Sequence, residues 1–234
     1  MKRAELIRKV REDYLDDVSD APDQDDEGYR WSDAFLGRAI AEAEYEACRR
    51  TDLLYDESTA AITAIALVDG TASYALSAKV TRLVAVVYDG APLAHKTLGE
   101  LTETYGEQWR ADTGEPVAYA VSGKVLRVYP TPSADEDGDA LSLEVYRLPL
   151  KSFVDEPEIG EEYHEDLCLY AAHSAYKRRD EDTYDPKKAR ELLQEFNAAF
   201  GYPVNALVRE HQKRSPASLS IRTDYGYSDN RRNY

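Results

Sequence analysis

The first fifty residues place apolar side chains at helical spacing. Over residues 3 to 18 they recur every three or four positions, which predicts an amphipathic helix. Its stripe is Leu6, Ile7, Val10 and Tyr14. A second helix is predicted from Ser32, an N-cap residue type, and Trp31 is placed to pack on Leu36. The stripe of the second helix is Leu36, Ala39, Ile40, Ala43 and Ala47.

From about Ser58 the apolar period shortens to two, which is typical of β-strands. Turn signals such as Asp89-Gly90 separate four predicted strands. These strands cover 82 to 88, 116 to 121, 124 to 129 and 141 to 147. Thr97 and Glu100 have the spacing of a capping box and predict one short helix between strands. Residues 59 to 67 are ambiguous, because their alanines would also suit a helix.

The helical pattern returns after residue 160. Residues 161 to 179 begin with acidic and end with basic side chains, the order that complements a helix dipole. Their stripe is Leu167, Tyr170, Ala171, Ser174 and Ala175, whose small members permit a close neighbour. A last helix is predicted from the N-cap Asp185 to a stop at Gly201, with Pro186 at its first position. Its buried face is Ala189, Leu192, Leu193, Phe196 and Phe200.

This order of elements predicts an α+β fold. Neither helix pair buries its stripe alone, so we expect the N- and C-terminal helices to form one bundle around an inserted antiparallel β domain. The expected divisions are 1–54 for the first helices, 55–150 for the β domain, 151–203 for the last helices and 204–234 for an extended C-terminal arm.

Composition favours a globular protein that folds in a cytoplasm. Of the 234 residues, 43% are hydrophobic and 32% are charged. We expect no transmembrane helix, since no apolar run is long enough, and no signal peptide, since the N-terminal residues lack an apolar core region. Cys48 and Cys168 are the only cysteines, too few for a disulfide framework, and are expected to be free structural thiols.

The charge is negative and unevenly placed. The formal net charge of -16 argues against wrapping nucleic acid and against adhesion to anionic membranes. From Arg209 onward, six basic and three acidic residues give a local balance of +3, which leaves -19 for the rest of the chain. The C-terminal residues are therefore a basic segment on an acidic body.

The last twenty residues are too polar to build a core of their own. Two hypotheses fit these residues. They form either a terminus without a partner or an arm that docks outside its own subunit. The predicted docking residues are Arg222, Tyr225, Tyr227, Arg231, Arg232 and Tyr234. The chain also has 18 tyrosines against 4 phenylalanines, which suits surfaces that a partner covers, although half-buried tyrosines explain the excess equally well.

Two segments resemble metal sites without completing one. Residues 164 to 173 carry His164, Cys168 and His173, but the two histidines fall on opposite helix faces, so packing is favoured. Residues 133 to 144 place Asp135, Asp137, Gly138 and Glu144 as in a calcium loop. However, Ser133 occupies its first position and the flanks read as strands, so a hairpin is favoured.

No catalytic motif supports an enzyme, and no cofactor or metal is predicted. The sequence has neither a nucleophile elbow nor a glycine-rich phosphate loop. One candidate function is a carbohydrate-binding or hydrolysing β module, whose sugar platform would be Trp109, Tyr119, Tyr129 and Tyr146. Aromatic residues at strand spacing are more often core than platform.

The order of several segments resembles tailed-bacteriophage head-to-tail adaptor (connector) proteins over residues 3 to 200. The segments that carry the resemblance most are YPTP before a hairpin and EEYHE followed by a DPKKA helix. The resemblance implies a structural virion protein with no catalytic residues. Such a protein forms a ring, typically a dodecamer, between the portal and the tail or nozzle proteins, and genomic DNA passes through it without specific binding. A C-terminal arm commonly reaches the portal.

Overall fold

The computed structural model describes residues 1–17, 28–151, 156–179, 183–203 and 205. Within these ranges the chain is a mixed α+β protein, as predicted. The N- and C-terminal parts are helical, and the strands lie between them. Residues 18–27, and nearly all of the predicted C-terminal arm, lie outside the described residues.

The N-terminal helix differs from its prediction. Helix α1 spans Arg3–Lys9 and continues as a π-helical segment, Val10–Leu15, in place of one α-helix to residue 18. Asp16 ends it in the left-handed region with φ 48°. The wider π turn buries Leu15 and leaves Tyr14, which the α-helical stripe would have buried, only half-buried.

Two of the remaining long helices begin at their predicted N-cap residues. Helix α2 spans Asp33–Arg50, and the Ser32 side chain accepts a hydrogen bond from the Phe35 N–H. Helix α5 spans His164–Lys177 after a 3₁₀ turn at Glu161–Tyr163, in place of one α-helix over 161 to 179. Helix α6 spans Pro186–Phe200, directly before its predicted stop at Gly201. The Asp185 carboxylate caps α6 by accepting from two backbone N–H groups. Each cap works through atoms within three residues, so the sequence alone specifies it.

One hydrophobic cluster draws on both ends of the chain. We call it the helical cluster; it runs from Leu6 to Leu54 and from Leu148 to Phe200. Helix α5 packs against α2 on one side and α6 on the other. The α2–α5 contact is built from small side chains, which lets two helices approach closely. Its fully buried alanines include Ala43 and Ala47 on α2 and Ala171 and Ala175 on α5.

The first sheet has β9 (Ala140–Arg147) at its centre. Beside it run β4 (Val80–Tyr88) and then β5 (Ala91–Pro92). On its other side β1 (Tyr55–Asp56) and β2 (Ala64–Ala66) pair with successive parts of the same strand. Helix α3 (Ala60–Thr63) lies between these two short strands. The ambiguous segment 59 to 67 therefore contains both a helical turn and a strand.

The second sheet has the order β3–β8–β7–β6. These strands are Ser73–Ala75, Val125–Tyr129, Ala118–Ser122 and Ala94–His95. Strands β6 and β7 are parallel, which corrects the prediction of a wholly antiparallel domain. The connection between them contains helix α4 (Leu98–Tyr105) and a 3₁₀ turn (Trp109–Ala111), long enough for the crossover that parallel strands need.

Two further clusters fill the β region. The larger is buried against both sheets and contains Val86, Leu126, Leu141, Leu143 and Val145. The predicted alternation of β9 is confirmed, because Leu141, Leu143 and Val145 are all at most 1% exposed. The smaller cluster surrounds Trp109 on the outer face of the second sheet and includes Leu101 and Tyr129.

Candidate functional site

The six residues predicted to dock a partner lie outside the described residues. They are Arg222, Tyr225, Tyr227, Arg231, Arg232 and Tyr234. Their role therefore stays a prediction. The described part offers other surfaces, most of them where the helical cluster meets the β-sheets.

Arg147 occupies the junction between these two parts. Its Nε lies 2.6 Å from Asp56 Oδ2 and its Nη1 lies 2.7 Å from Glu158 Oε2. Asp56 is next to the outgoing crossing of the chain, and Glu158 is on the returning one. Glu158 also accepts hydrogen bonds from the backbone N–H groups of Leu150 and Lys151. One arginine therefore joins both crossings.

The carboxylates of this junction are held ionised. Burial alone would raise the pKa of Asp56, but hydrogen bonds from Thr59, Arg147 and Ser58 lower it well below its ordinary value. Burial would also raise the pKa of Glu158. Hydrogen bonds from the Lys151 N–H and from Arg147 outweigh this effect and lower it. The junction is thus a satisfied ionic network, the condition under which buried charges are tolerated.

Glu44 ties the returning crossing to helix α2. Its side chain is buried at 3% exposure, and its Oε1 accepts from the N–H groups of Glu158 at 2.5 Å and Ile159 at 3.3 Å. Burial raises the pKa of Glu44, while these two hydrogen bonds lower it in part. The carboxylate lies in the floor of a surface groove.

This groove runs along the exposed face of α2 to Lys79 and Pro149, next to the ends of β4 and β9. Its volume is about 340 Å³. We call it the basic groove. Its charged and aromatic lining is Arg3, Arg38, Glu44, Tyr45, Lys79 and Lys151. Gly37 makes room at one end, since a methyl group there would overlap the Arg3 guanidinium. At the other end Lys79 Nζ donates to the Pro149 carbonyl at 2.8 Å and lies 5.9 Å from the Tyr45 ring centroid.

The cations of the basic groove are unusual for so acidic a chain. Four basic side chains line it against a single acidic one, Glu44, whose carboxylate is engaged by backbone N–H groups. Among the described residues no carboxylate pairs with Arg38, Lys79 or Lys151. Sequence reasoning missed this surface, because its members are spread from residue 3 to residue 151. The only local signal is the spacing of Arg38 and Tyr45, seven residues apart on one helix face.

A second feature lies at the start of α2, where Arg11 holds two chain segments together. Its Nη2 donates to the Trp31 carbonyl at 2.5 Å and its Nη1 contacts Asp33 Oδ1 at 2.6 Å. The Asp17 carboxylate accepts from the backbone N–H groups of Arg30 at 2.8 Å and Trp31 at 3.3 Å. Residues 17 and 30, which flank the acidic segment 18–27, are therefore held at one place.

The tyrosines divide between core and surface. Tyr119 and Tyr129 are buried in the β clusters, whereas Tyr45, Tyr55 and Tyr184 are 42%, 46% and 49% exposed. Tyr202 is 71% exposed at the end of α6. The buried subset agrees with packing as a reason for the tyrosine excess, and contact of the exposed subset with a partner stays a prediction. The exposed subset is available for contact with a partner.

The metal-like helix segment is engaged in packing. His164 donates from Nε2 to the Ile159 carbonyl at 3.0 Å, and its Nδ1 lies 2.9 Å from the Met1 amino group. His173 donates from Nδ1 to the Ala189 carbonyl at 2.6 Å. Cys168 is buried beneath the backbone of Leu6. These contacts agree with the packing role that the sequence favoured.

The calcium-like segment is not the predicted hairpin, because the strands that it connects, β8 and β9, lie in different sheets and do not pair. Three of its carboxylates have protein donors. Glu136 accepts from the N–H and hydroxyl of Ser133, and Asp137 accepts from the Asp69 N–H at 3.0 Å. The Tyr88 hydroxyl donates to Asp139 at 2.7 Å. In the described ranges, no group of three or more His, Cys, Asp or Glu side chains is arranged to hold a metal ion.

The proposed sugar platform is not an exposed surface. Trp109, Tyr119 and Tyr129 are 1%, 5% and 7% exposed, so their ring faces contact core side chains. Arg110 and Arg127 cover the Trp109 ring at 4.4 and 5.0 Å from its centroid. Tyr146 packs edge-on against Tyr55. These four rings do not form a common face for a sugar.

Comparisons with known proteins give one family. The family model described as SU10 adaptor protein matches residues 1–222. No curated protein matches the chain. No helix in the described ranges combines the length and the apolarity that crossing a membrane would take.

Proposed function

The chain belongs to the SU10 adaptor protein family of phage head-to-tail adaptors, and from this we propose that it forms a ring that joins the portal to the tail. The family match carries the proposal, because it covers residues 1–222 of the 234. Proteins of this family are structural components of the virion and not enzymes. The function then resides in surfaces that bind other subunits.

The proposed partners are other copies of the chain, the portal protein and the tail or nozzle proteins. Genomic DNA would pass through the ring without specific binding, and a dodecamer is the expected assembly. The net charge of -16 supports the passage of DNA, since like charges do not adhere. The exposed tyrosines support subunit contacts, because tyrosine is enriched in protein interfaces.

We further propose the division into helices 1–54, β domain 55–150, helices 151–203 and C-terminal arm 204–234. Support for the first three parts comes from the hydrophobic clusters. The helical cluster combines residues from the first and third parts with Leu148 at the end of the second, and the other two clusters lie within the second. The two helical parts would then make one bundle.

The arm is proposed to dock on the portal through its basic and aromatic side chains. The family match ends at residue 222, so Arg222 is the last docking residue inside it and Tyr225 to Tyr234 lie beyond. Opposite charge would steer the arm to an acidic surface, and its tyrosines would supply buried area on docking.

Assembly with the portal tests the function directly. The full chain would be mixed with purified portal of the same phage and followed by light scattering and negative-stain microscopy. We expect a ring that stacks on the portal along a common axis. A chain that neither forms rings nor joins the portal under any salt condition contradicts the proposal.

Deletion of residues 215–234 tests the arm. We expect the melting temperature to stay within about 2 °C of the full chain, because this segment is too polar to add to a core. Binding to the portal should weaken by at least about tenfold, and more at low salt than at high salt. A truncated chain that melts far lower would place the segment in its own subunit's core.

A further inference from the structure

We propose that the basic groove of one copy of this chain binds the acidic end of the first β-sheet of a neighbouring copy. This inference rests on the proposed ring, and it names one contact by which neighbouring subunits recognise each other. The contact is heterologous, since the two surfaces differ. Repeated heterologous contacts close a ring when the rotation between copies allows it.

Three segments form what we call the acidic end of the first sheet: 67–71, 88–92 and 133–140. The Asp69 N–H donates to Asp137 Oδ1 at 3.0 Å, and the Tyr88 hydroxyl donates to Asp139 Oδ2 at 2.7 Å. The third segment therefore holds the other two at one place. Together the segments contain no lysine, arginine or histidine, and their acidic residues are Asp69, Asp89, Asp135, Glu136, Asp137 and Asp139.

Several of these carboxylates can receive donors from a partner. Asp69, Asp89 and Asp135 are exposed, and no donor among the described residues bonds to their side chains. Asp137 and Asp139 are also exposed, and each keeps acceptor positions beyond the one hydrogen bond that holds it. The acidic end therefore offers several acceptors while its own hydrogen bonds stay in place.

The basic groove has the chemistry of a receptor for carboxylates. Arg38 and Lys151 are exposed, and neither has a carboxylate partner among the described residues. The Lys79 amine lies near the Tyr45 ring, which adds a partly apolar wall beside the charges. Glu44, the one acid in the described lining, is engaged by backbone N–H groups. Carboxylates of a partner would give the groove cations charge-assisted hydrogen bonds.

The two surfaces lie at opposite ends of the same pair of strands. The groove reaches Lys79, directly before β4, whereas the acidic end lies where Tyr88, the last residue of β4, pairs with Leu141. Eight residue steps along β4 separate these ends by about 26 Å at about 3.3 Å per residue. Since β4 pairs with β9 along this length, the sheet cannot fold back on itself. The groove therefore cannot meet the acidic end of its own chain, whereas a second copy can present one.

Charge reversal on each side tests the contact. The groove variant is Arg38→Glu with Lys151→Glu, and the sheet-end variant is Asp69→Lys with Asp135→Lys. Each variant alone places like charges at every contact, and we expect ring assembly to weaken by about tenfold or more at low salt. A chain with all four changes should assemble again, because every reversed groove then meets a reversed sheet end. Light scattering in the presence of portal measures assembly.

Two controls separate the contact from net charge. Arg179→Glu with Arg190→Glu gives the charge change of the groove variant at exposed residues outside the groove, and it should assemble like the unaltered chain. The groove variant combined with Glu103→Lys and Glu107→Lys recovers the original net charge at exposed residues outside the acidic end. We expect this combination to stay defective, unlike the chain with all four contact changes.

Melting curves of all variants check folding. If charge reversal lowers the melting temperature, Arg38→Gln with Lys151→Gln replaces the groove variant. Its assembly should weaken in the same direction by a smaller factor, since attraction is lost and no repulsion is added.

Zero-length cross-linking of the unaltered chain gives a second measurement. A carbodiimide joins a carboxylate to an amine that it contacts, so we expect products that link Lys79 or Lys151 to the segments 67–71 or 133–140. In a ring assembled from light and isotope-labelled chains, these products should include pairs of one light and one heavy peptide.

The outcomes separate this inference from the proposed function. A groove variant that forms normal rings overturns the inference and leaves the ring standing. If those rings no longer join the portal, the groove binds the portal instead, and if they retain less duplex DNA, it binds phosphate. Groove lysines that cross-link only to other segments also overturn the inference. Failure of the unaltered chain to form any ring with portal removes the proposed function, and this inference with it.

Discussion

Arg147 shows how much one side chain contributes to the junction. It pairs with Asp56 and Glu158, whose side chains are 4% and 14% exposed, and it is itself 13% exposed. Removing one member of such a network leaves the others charged with little access to water. The cost is then larger than the net contribution of the ion pair itself.

We expect Arg147→Ala to lower the free energy of unfolding by about 3 kcal/mol. The control is Lys187→Ala, because Lys187 is 86% exposed and lies 3.9 Å from Glu191. That exposed pair should cost no more than about 0.5 kcal/mol. Urea unfolding followed by circular dichroism measures both, and equal losses would show that the junction is not held by this arginine.

The two thiols give a prediction that depends on pH. Burial, with the nearby Glu44 charge, raises the pKa of Cys48 to about 12. Burial also raises the pKa of Cys168 to about 12. Since the thiolate is the reactive form, both should resist a disulfide reagent in the native chain as the pH rises from about 7 to about 9. Titration in denaturant should then find two thiols, and rapid native reaction of either would contradict its burial.

Individual helices are specified by their ends. Asp185 accepts from the N–H groups of Lys187 and Lys188, both at 3.0 Å, and Pro186 occupies the first position of α6. Thr97 and Glu100 cap α4 reciprocally. These features depend on residues close in sequence, so the pattern of side-chain types was enough to predict them.

We expect Asp185→Ala to destabilise the protein by about 1 kcal/mol, because two N–H groups at the start of α6 lose their acceptor. Asp185→Ser keeps a capping oxygen and should destabilise the protein by only a few tenths of a kcal/mol. Chemical denaturation of both variants measures the difference. If serine and alanine are equally destabilising, the cap does not account for the effect.

Elements that depend on distant pairing were not predictable in the same way. Residues 59 to 67 divide into α3 and β2 because Ala64 and Ile65 pair with Ser142 and Leu141 of β9. The parallel pairing of β6 with β7 depends on a crossover whose path the sequence does not encode locally. The basic groove was missed for the same reason, since Arg38, Lys79 and Lys151 meet only after folding.

At the scale of the whole molecule, the helical and β parts differ in how they obtain a core. The helical cluster needs both ends of the chain, whereas the β clusters use residues from Ile62 to Val145 alone. A part that contains its own buried cluster can fold without the rest. A part whose apolar face is covered by a distant segment cannot.

We therefore expect a fragment of residues 55–150 to fold with β-type circular dichroism and a cooperative melt. Its stability should be lower than that of the full chain, because Arg147 loses Glu158. Fragment 1–54 alone should lack stable helices, since α5 is absent. A β fragment without a cooperative transition would show that the junction is required for folding.

The chain passes between the helical cluster and the β-sheets twice. It leaves through residues 51–54 and returns through 148–151 and 156–159, and Arg147 links the two passages. A part joined to the rest by one chain connection can rotate about it. Where two connections are linked to each other, rotation about either one strains the other. We therefore expect torque or thrust applied to the sheets to be transmitted to the helices with little bending. Such stiffness lets a coupling between two larger bodies keep its alignment under load.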